Sequence, residues 1–357
     1  MNISIVSFTD NGSKVNANIL EKLKKDNDVK AYAISKYASK YGLLETGKPL
    51  KEWTKEHFKD DAIIFISATG IAVRSIAPFI EKKTTDPAVI VMDERANFVI
   101  SLLSGHIGGA NELTLKLSKI TGALPVITTA TDVNNTFAVD VFAVKNNMYI
   151  KEMKLAKEVA ASVLEHKYVG FVSDFPIEGN IDKALTYEKD SKKPELLEKE
   201  IGIHVTLDEN SKVFKNTLHL IPKIASLGVG CRKNKDFESV KKHILDTLKK
   251  NNISIHSIKD VSSVDLKKDE QGIIKFAQEV EIPFIVYTSK ELLQVKGDFS
   301  ASAFVKNIAG VDNVCERSAK KSASKNDDEE INIIVRKTAN DGVTAALALS
   351  DWSVKFE

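Results

Sequence analysis

The chain has 357 residues, 43% hydrophobic and 28% charged, with 51 basic and 49 acidic side chains giving a net charge of +2. This is the composition of a globular protein with room for two or three domains, and the balanced charge argues against bulk nucleic-acid binding. Cys231 and Cys315 are the only cysteines, which argues against a disulfide framework and a cysteine-built metal site, and none of the seven histidines pair at metal-ligand spacing.

In chain order, residues 3–8 form an apolar strand and 9–13 a turn rich in N-cap residues. The start lacks the basic residues and long apolar core of a signal peptide, so a cytoplasmic location is expected. No apolar run approaches the roughly 18 residues that span a membrane, and no membrane contact is expected. Val15, Ile19 and Leu23 mark a helix and residues 29–34 return as a strand, a β-α-β unit that predicts parallel pairing. Residues 61–67 read as a buried strand. Thr69 and Gly70 then turn the chain into a helix carrying Arg74, a candidate anion site with a bidentate cation. Residues 88–92 and 98–103 are two further strands.

Residues 101–132, SLLSGHIGGANELTLKLSKITGALPVITTATD, bring strand, glycine turn, helix and strand together. Ile107, Ala110, Leu113, Leu117 and Ile120 recur at helical spacing, and polar residues follow both strands. In an open α/β sheet ligands bind at such strand ends. Gly105 is expected at positive φ, while Gly108 and Gly109 allow close approach of backbone or ligand. Ser104, Asn111, Thr128 and Thr129 are candidate ligand contacts, with the N–H groups of the first helical turn as anion donors. His106 is the candidate general base, with Glu112 and Asp132 as runners-up. A helix N-terminus disfavours imidazolium and would keep His106 able to accept a proton.

From residue 134 the character changes. Residues 151–165 predict a helix with Met153, Ala156, Ala160 and Val163 packed. Residues 173–199 are polar and contain Pro176, Gly179 and Pro194, and read as an exposed loop open to proteolysis. Strands are expected at 203–207 and 217–221. A new α/β pattern starts at Ile224, where Gly228 and Gly230 make a close-approach turn without a dinucleotide fingerprint. A helix follows with Phe237, Val240, Ile244 and Leu248 on one face. Strands are expected at 253–264, 282–287, 331–335 and 343–349, a helix from 300 to 308, and another opening at Val314. Gly230, Arg232, Lys267 and Glu316 are candidate ligand contacts, while Cys315 reads as an inert buried thiol. The fold class is α/β, with a Rossmann-like parallel-sheet domain at 1–133, a small α+β middle segment at 134–223 and a C-terminal α/β domain at 224–357.

Residues 69–94, TGIAVRSIAPFIEKKTTDPAVIVMDE, together with 101–132, resemble the cobalt-precorrin-5A hydrolases of anaerobic cobalamin biosynthesis. LGVGCRKN (227–234), VDLKKDEQGI (264–273), FSASAFVKNIAGVDNVCE (299–316) and Lys337 to Thr344 resemble the same family. ERSAKKS (316–322) departs from the more alanine-rich run usual there. The resemblance implies an anionic corrinoid substrate whose δ-lactone is opened by water, the methylated bridging carbon leaving as acetaldehyde to give cobalt-precorrin-5B. Cobalt comes with that substrate, so no protein cofactor or metal is expected. Hand-over contacts with neighbouring pathway enzymes and a homo-oligomer are expected partners. The alternatives are a non-enzymatic corrinoid carrier and a tetrapyrrole methyltransferase of the same pathway.

Overall fold

The computed structural model describes residues 1–82, 85–129, 133, 136–301, 310–324 and 331–356. By its contacts the chain divides into Met1–Val141 and Phe142–Glu357.

In the first unit, β1 (Asn2–Ser7), α1 (Asp10–Leu23), β2 (Asp28–Ala33), α2 (Ser35–Tyr41) and β3 (Leu44–Glu45) begin the sheet. There follow α3 (Leu50–His57), β4 (Ala62–Ile66), α4 (Thr69–Ile76), β5 (Ala88–Met92), β6 (Phe98–Leu103), α5 (Ala110–Thr121) and β7 (Leu124–Val126). The strand order is β3-β2-β1-β4-β5-β6-β7. Every residue of β4 and β5 is buried, because helices cover both faces. Ile5, Ile64, Ile66 and Ile90 pack with Ile19, Leu113 and Leu117 on one face. Val6, Phe65 and Val91 pack with Trp53, Ala72 and Ile76 on the other.

From β3 to β5 the strands are parallel, as the β-α-β spacing predicts. β6 is antiparallel to β5, pairing Val89 with Leu103 and Met92 with Val99, and β7 follows β6 in parallel. Between β5 and β6 lie only residues 93–97, too few for a crossover. Asp93 fixes this hairpin by accepting from the N–H groups of Arg95 (2.9 Å) and Phe98 (2.7 Å) and from Asn97 Nδ2 (3.1 Å). Two strands of the sheet therefore run against the other five.

The division between units falls within α6 (Val139–Lys145). The second unit carries β8 (Met148–Ile150), α7 (Met153–Leu164), β9 (Gly170–Ser173), β10 (Ile177–Glu178), β11 (Thr186–Tyr187), β12 (Ile201–Val205) and β13 (Asn216–Pro222). Their main sheet has the order β11-β9-β12-β13-β8, parallel except for β8. On α7 the buried face is Ala156, Val159 and Val163, so Val159 takes the place expected for Ala160. The polar segment 173–199 is not a bare loop. It contributes β10, β11 and a 3-10 turn at Pro194–Glu198, and it buries Leu185 and Leu196.

The remaining elements are β14 (Ala225–Cys231), α8 (Phe237–Lys250), β15 (Ile258–Val264), α9 (Gln271–Glu279), β16 (Phe284–Tyr287), α10 (Ser289–Gln294), α11 (Cys315–Ala323), β17 (Asn332–Asn340), β18 (Val343–Leu349) and β19 (Val354–Lys355). Their sheet has the order β16-β15-β14-β18-β17, with β14, β15 and β16 parallel. β15 begins later than the expected 253, after a 3-10 turn at Ile255–Ser257. The helix expected from 300 to 308 lies largely outside the described residues.

Candidate functional site

β6 ends beside the start of β5, and the chain turns there into α5. Ser104, at φ 57, takes the left-handed conformation expected of Gly105, and its Oγ donates to Asp86 O at 3.0 Å. Gly105 is required instead for space: a Cβ there would lie 2.7 Å from Asn111 Oδ1. Gly108 abuts Ser104, with 2.9 Å between its would-be Cβ and the Ser104 carbonyl oxygen. Gly109, expected to permit close approach, has open space around it and serves as the left-handed residue at φ 81 that starts α5.

Asn111 is buried and binds the turn to both neighbouring strand ends. Its Oδ1 accepts from Ser101 Oγ at 2.6 Å and its Nδ2 donates to Thr129 Oγ1 at 3.1 Å. Gly109 N–H donates to His106 O (2.9 Å), Ala110 N–H to Ser104 O (3.1 Å) and Asn111 N–H to Gly105 O (2.9 Å). Those helical donors, expected to cradle an anion, are thus taken up by the turn's own carbonyls. The N–H groups of Gly105, Ile107 and Gly108 donate to no acceptor among the described residues, which moves the anion-binding capacity into the turn.

His106 Nδ1 lies 3.3 Å from each carboxylate oxygen of Asp140, in the first turn of α6. A carboxylate only accepts, so this pairing assigns the proton to Nδ1 and leaves Nε2 as the basic nitrogen. Nothing in the reading of the sequence singled out Asp140. Its signal was there: it is the one charged residue in the apolar run from Phe137 to Val144. Glu112 and Thr128 are exposed, and Asp132 lies outside the described residues.

Thr69, Gly70 and Arg74 stand at the opposite edge of the same sheet, where β4 ends. All three are exposed, and Arg74 Nη1 folds back to donate to Gly70 O at 3.3 Å. The structure therefore brings Ser104 to Asn111 together with Thr129, and sets Thr69 to Arg74 apart from them.

In the second unit, Gly230 and Arg232 lie at the end of β14 and Lys267 just after β15. Arg232 is exposed, with its N–H donating to Gly342 O at 2.9 Å. A Cβ on Gly230 would lie 2.7 Å from Thr344 Oγ1, which donates to the Gly230 carbonyl at 3.2 Å. Lys267 Nζ pairs at 2.9 Å with Glu270, a buried carboxylate that also accepts from Asn234 N–H at 2.9 Å. Burial pushes the Cys231 thiol in this cluster up to about 11. Glu316, expected as a ligand contact, is instead fully buried. Its oxygens accept from Ser300 N–H (2.9 Å), Ser300 Oγ (2.8 Å) and Lys337 N–H (2.7 Å), so it anchors backbone and is not presented to a ligand.

Among the described residues no group of three or more His, Cys, Asp or Glu side chains is placed to hold a metal ion, and no helix is long and apolar enough to cross a membrane. An imidazole paired with a carboxylate, beside N–H donors that have no acceptor among the described residues, at a strand end of an α/β sheet, is an arrangement able to move protons on an acyl or anionic substrate. Comparison with known proteins names the family. The family models described as Cobalamin synthesis G N-terminal, Cobalamin biosynthesis central region and Cobalamin synthesis G C-terminus match residues 52–132, 137–222 and 225–348. Cobalt-precorrin-5A hydrolase of Salmonella typhimurium is 37% identical over 260 residues, covering 71% of this chain and 73% of that protein. The Priestia megaterium protein of the same name is 33% identical over 243 residues, 64% of each chain. A solved cobalamin biosynthesis protein G homologue from Sulfolobus solfataricus is 22% identical with a TM-score of 0.42, covering 98% of this chain and 97% of that one. The chain belongs to the cobalt-precorrin-5A hydrolase family.

Proposed function

We propose that this protein hydrolyses cobalt-precorrin-5A in the cytoplasm, opening its δ-lactone and releasing acetaldehyde to give cobalt-precorrin-5B. The observation that carries the reading is the 37% identity to the Salmonella typhimurium hydrolase over 73% of its length. The His106–Asp140 pair supports a mechanism. His106 Nε2 takes a proton from the attacking water while Asp140 stabilises the imidazolium that forms. The lactone carbonyl oxygen becomes an oxyanion, for which the N–H groups of Gly105, Ile107 and Gly108 are the available donors. Collapse of the tetrahedral intermediate breaks the ring C–O bond and frees the oxygen on the bridging carbon. Loss of that hydroxyl proton then expels the carbon as acetaldehyde, and the electron pair of the broken C–C bond passes into the conjugated macrocycle.

The cobalt is part of the substrate, and the protein is proposed to need no metal of its own. Incubation with cobalt-precorrin-5A should release acetaldehyde and lower the corrinoid mass accordingly, with activity surviving chelator treatment. Stoichiometric binding without acetaldehyde would identify a carrier, and activity lost to chelator but restored by zinc would overturn the metal-free mechanism.

A further inference from the structure

The middle sheet holds a second arrangement with catalytic connectivity, far along the chain from His106. His204 is the fourth residue of β12 and Asp174 directly follows β9, so both stand at the C-terminal ends of adjacent parallel strands. Ser211 lies in the loop after β12. His204 Nε2 is 3.1 Å from Asp174 Oδ1, and His204 Nδ1 is 2.8 Å from Ser211 Oγ. A carboxylate can only accept, so Nε2 carries the proton and Nδ1 is left to accept from the serine hydroxyl. The nitrogen facing the serine is thus the unprotonated one, as a serine nucleophile needs of its base, with the two ring nitrogens exchanged relative to the Ser-His-Asp template.

The three side chains are held in place by other contacts. Asp174 N–H donates to Val205 O at 2.9 Å. Ser211 N–H reaches Asp208 O at 3.3 Å, and the Ser211 carbonyl oxygen lies 2.8 Å from His219 Nε2. His219 is the register partner of His204 on β13, and its Nδ1 is 3.1 Å from Glu152 Oε1. Burial alone would raise the Asp174 carboxyl, but the hydrogen bond and charge of His204, with the Thr206 hydroxyl and Lys192, together hold the carboxyl below its usual value. His204 is 3% exposed, while Ser211 is half-buried. Lys212, the residue after the serine, has an N–H with no acceptor among the described residues, in the position that supplies an oxyanion donor in serine hydrolases.

We propose that Ser211, His204 and Asp174 form a second acyl-transfer site, with Ser211 as nucleophile toward a carboxylic ester or lactone. Ser211 Oγ bonds to the carbonyl carbon as its proton passes to His204 Nδ1. The ester C–O bond then breaks, the departing alkoxide takes that proton, and the acyl group stays on Ser211. Water, deprotonated by His204, cleaves the acyl-serine to a carboxylic acid and restores the hydroxyl. The alternative is that His204 and Ser211 only pin the loop over the sheet, in which case the hydroxyl is no more reactive than any surface serine.

The test uses the full chain and a fluorophosphonate reagent, which loses fluoride on phosphonylating an activated serine, followed by peptide mass mapping. One phosphonyl group on Ser211 is expected, formed at least ~10²-fold faster than on exposed Ser35, the lower end of what a positioned base contributes. The Asp174→Asn variant should label at least tenfold more slowly with an unchanged melting midpoint, and Ser211→Ala should not label in this region. Exhaustive exposure that leaves Ser211 unmodified, or modifies it no faster than Ser35, would overturn the proposal. The mapping on the unaltered chain decides this even if a variant fails to fold. Acetaldehyde release is not read, so failure here leaves the proposal for His106 untouched.

Discussion

Replacing Asp140 with Asn tests whether the pair it makes with His106 acts in catalysis. His106 Nδ1 is equidistant, at 3.3 Å, from the two carboxylate oxygens, and the side chains are 14% and 18% exposed. A hydrogen bond to a charged group contributes about 1.5–3 kcal/mol, and each ~1.4 kcal/mol of transition-state stabilisation is tenfold in rate. If the pair tightens as His106 takes its proton, Asp140→Asn should lower kcat for acetaldehyde release by roughly 10–150-fold. An amide that turns its NH2 to Nδ1 would force the proton onto Nε2 and extend the loss toward ~10⁴-fold. KM should change little, because Asp140 contacts His106 and is not among the candidate ligand contacts. His106→Ala should cost ~10²–10⁴-fold, and the double variant no more than the worse single one. The assay is steady-state acetaldehyde release across pH, with melting midpoints as the folding control. A folded Asp140→Asn enzyme with wild-type kcat and an unchanged pH profile would refute the reasoning. A raised KM at constant kcat would make Asp140 a substrate contact instead.

Other perturbations follow from the same geometry. Glu316→Ala leaves the N–H groups of Ser300 and Lys337 without their acceptor and opens a cavity, a loss of ~1–3 kcal/mol. At ~2–4 °C per kcal/mol for a unit of this size, the melting midpoint should fall by roughly 2–12 °C in a thermal scan, and an unchanged midpoint would contradict the anchoring role. Asp260 has its carboxyl raised by burial, against hydrogen bonds from Ser322 and Ser226. The folded state therefore holds its proton more tightly than the unfolded one, a contribution complete below 3.8 and lost as pH rises through the higher folded value. Asp260→Asn should raise the midpoint at pH 7, with the gain shrinking toward pH 4; a loss of stability at both pH values would show that the ionised form is favoured. Both thiols are pushed up to about 11 by burial, so the thiolate fraction at pH 8 is ~10⁻³. A disulfide reagent at pH 8 should modify Cys231 and Cys315 at least ~10²-fold more slowly in the folded than in the unfolded chain, and rapid reaction of Cys231 would contradict its burial.

The parts of this fold that were legible are those set by local chemistry. The continuous apolar run at 61–67 reads as a buried strand and 88–92 as another, and both are strands buried throughout, β4 and β5. Helix faces at 237–250 followed from period alone, whereas the stripe on α7 slipped from Ala160 to Val159 because alanine carries little hydrophobic signal. Glu316 was misjudged because a carboxylate reads as surface unless its donors are known. Here they come from Ser300 and Lys337, sixteen and twenty-one residues away. The triad of Asp174, His204 and Ser211 is hidden for the same reason: Asp174 follows β9 while His204 sits on β12 and Ser211 in the loop after it, and only the pairing of the two strands joins the carboxylate to the other two. Strand direction has the widest consequence. The five residues between β5 and β6 already force a hairpin, and with it β6 and β7 reverse. Thr69 to Arg74 and the Ser104 turn, alike as strand-to-helix motifs, then stand at opposite edges of one sheet. Which motifs can act on the same chemical group is decided by strand direction, a property that spacing within each motif does not carry.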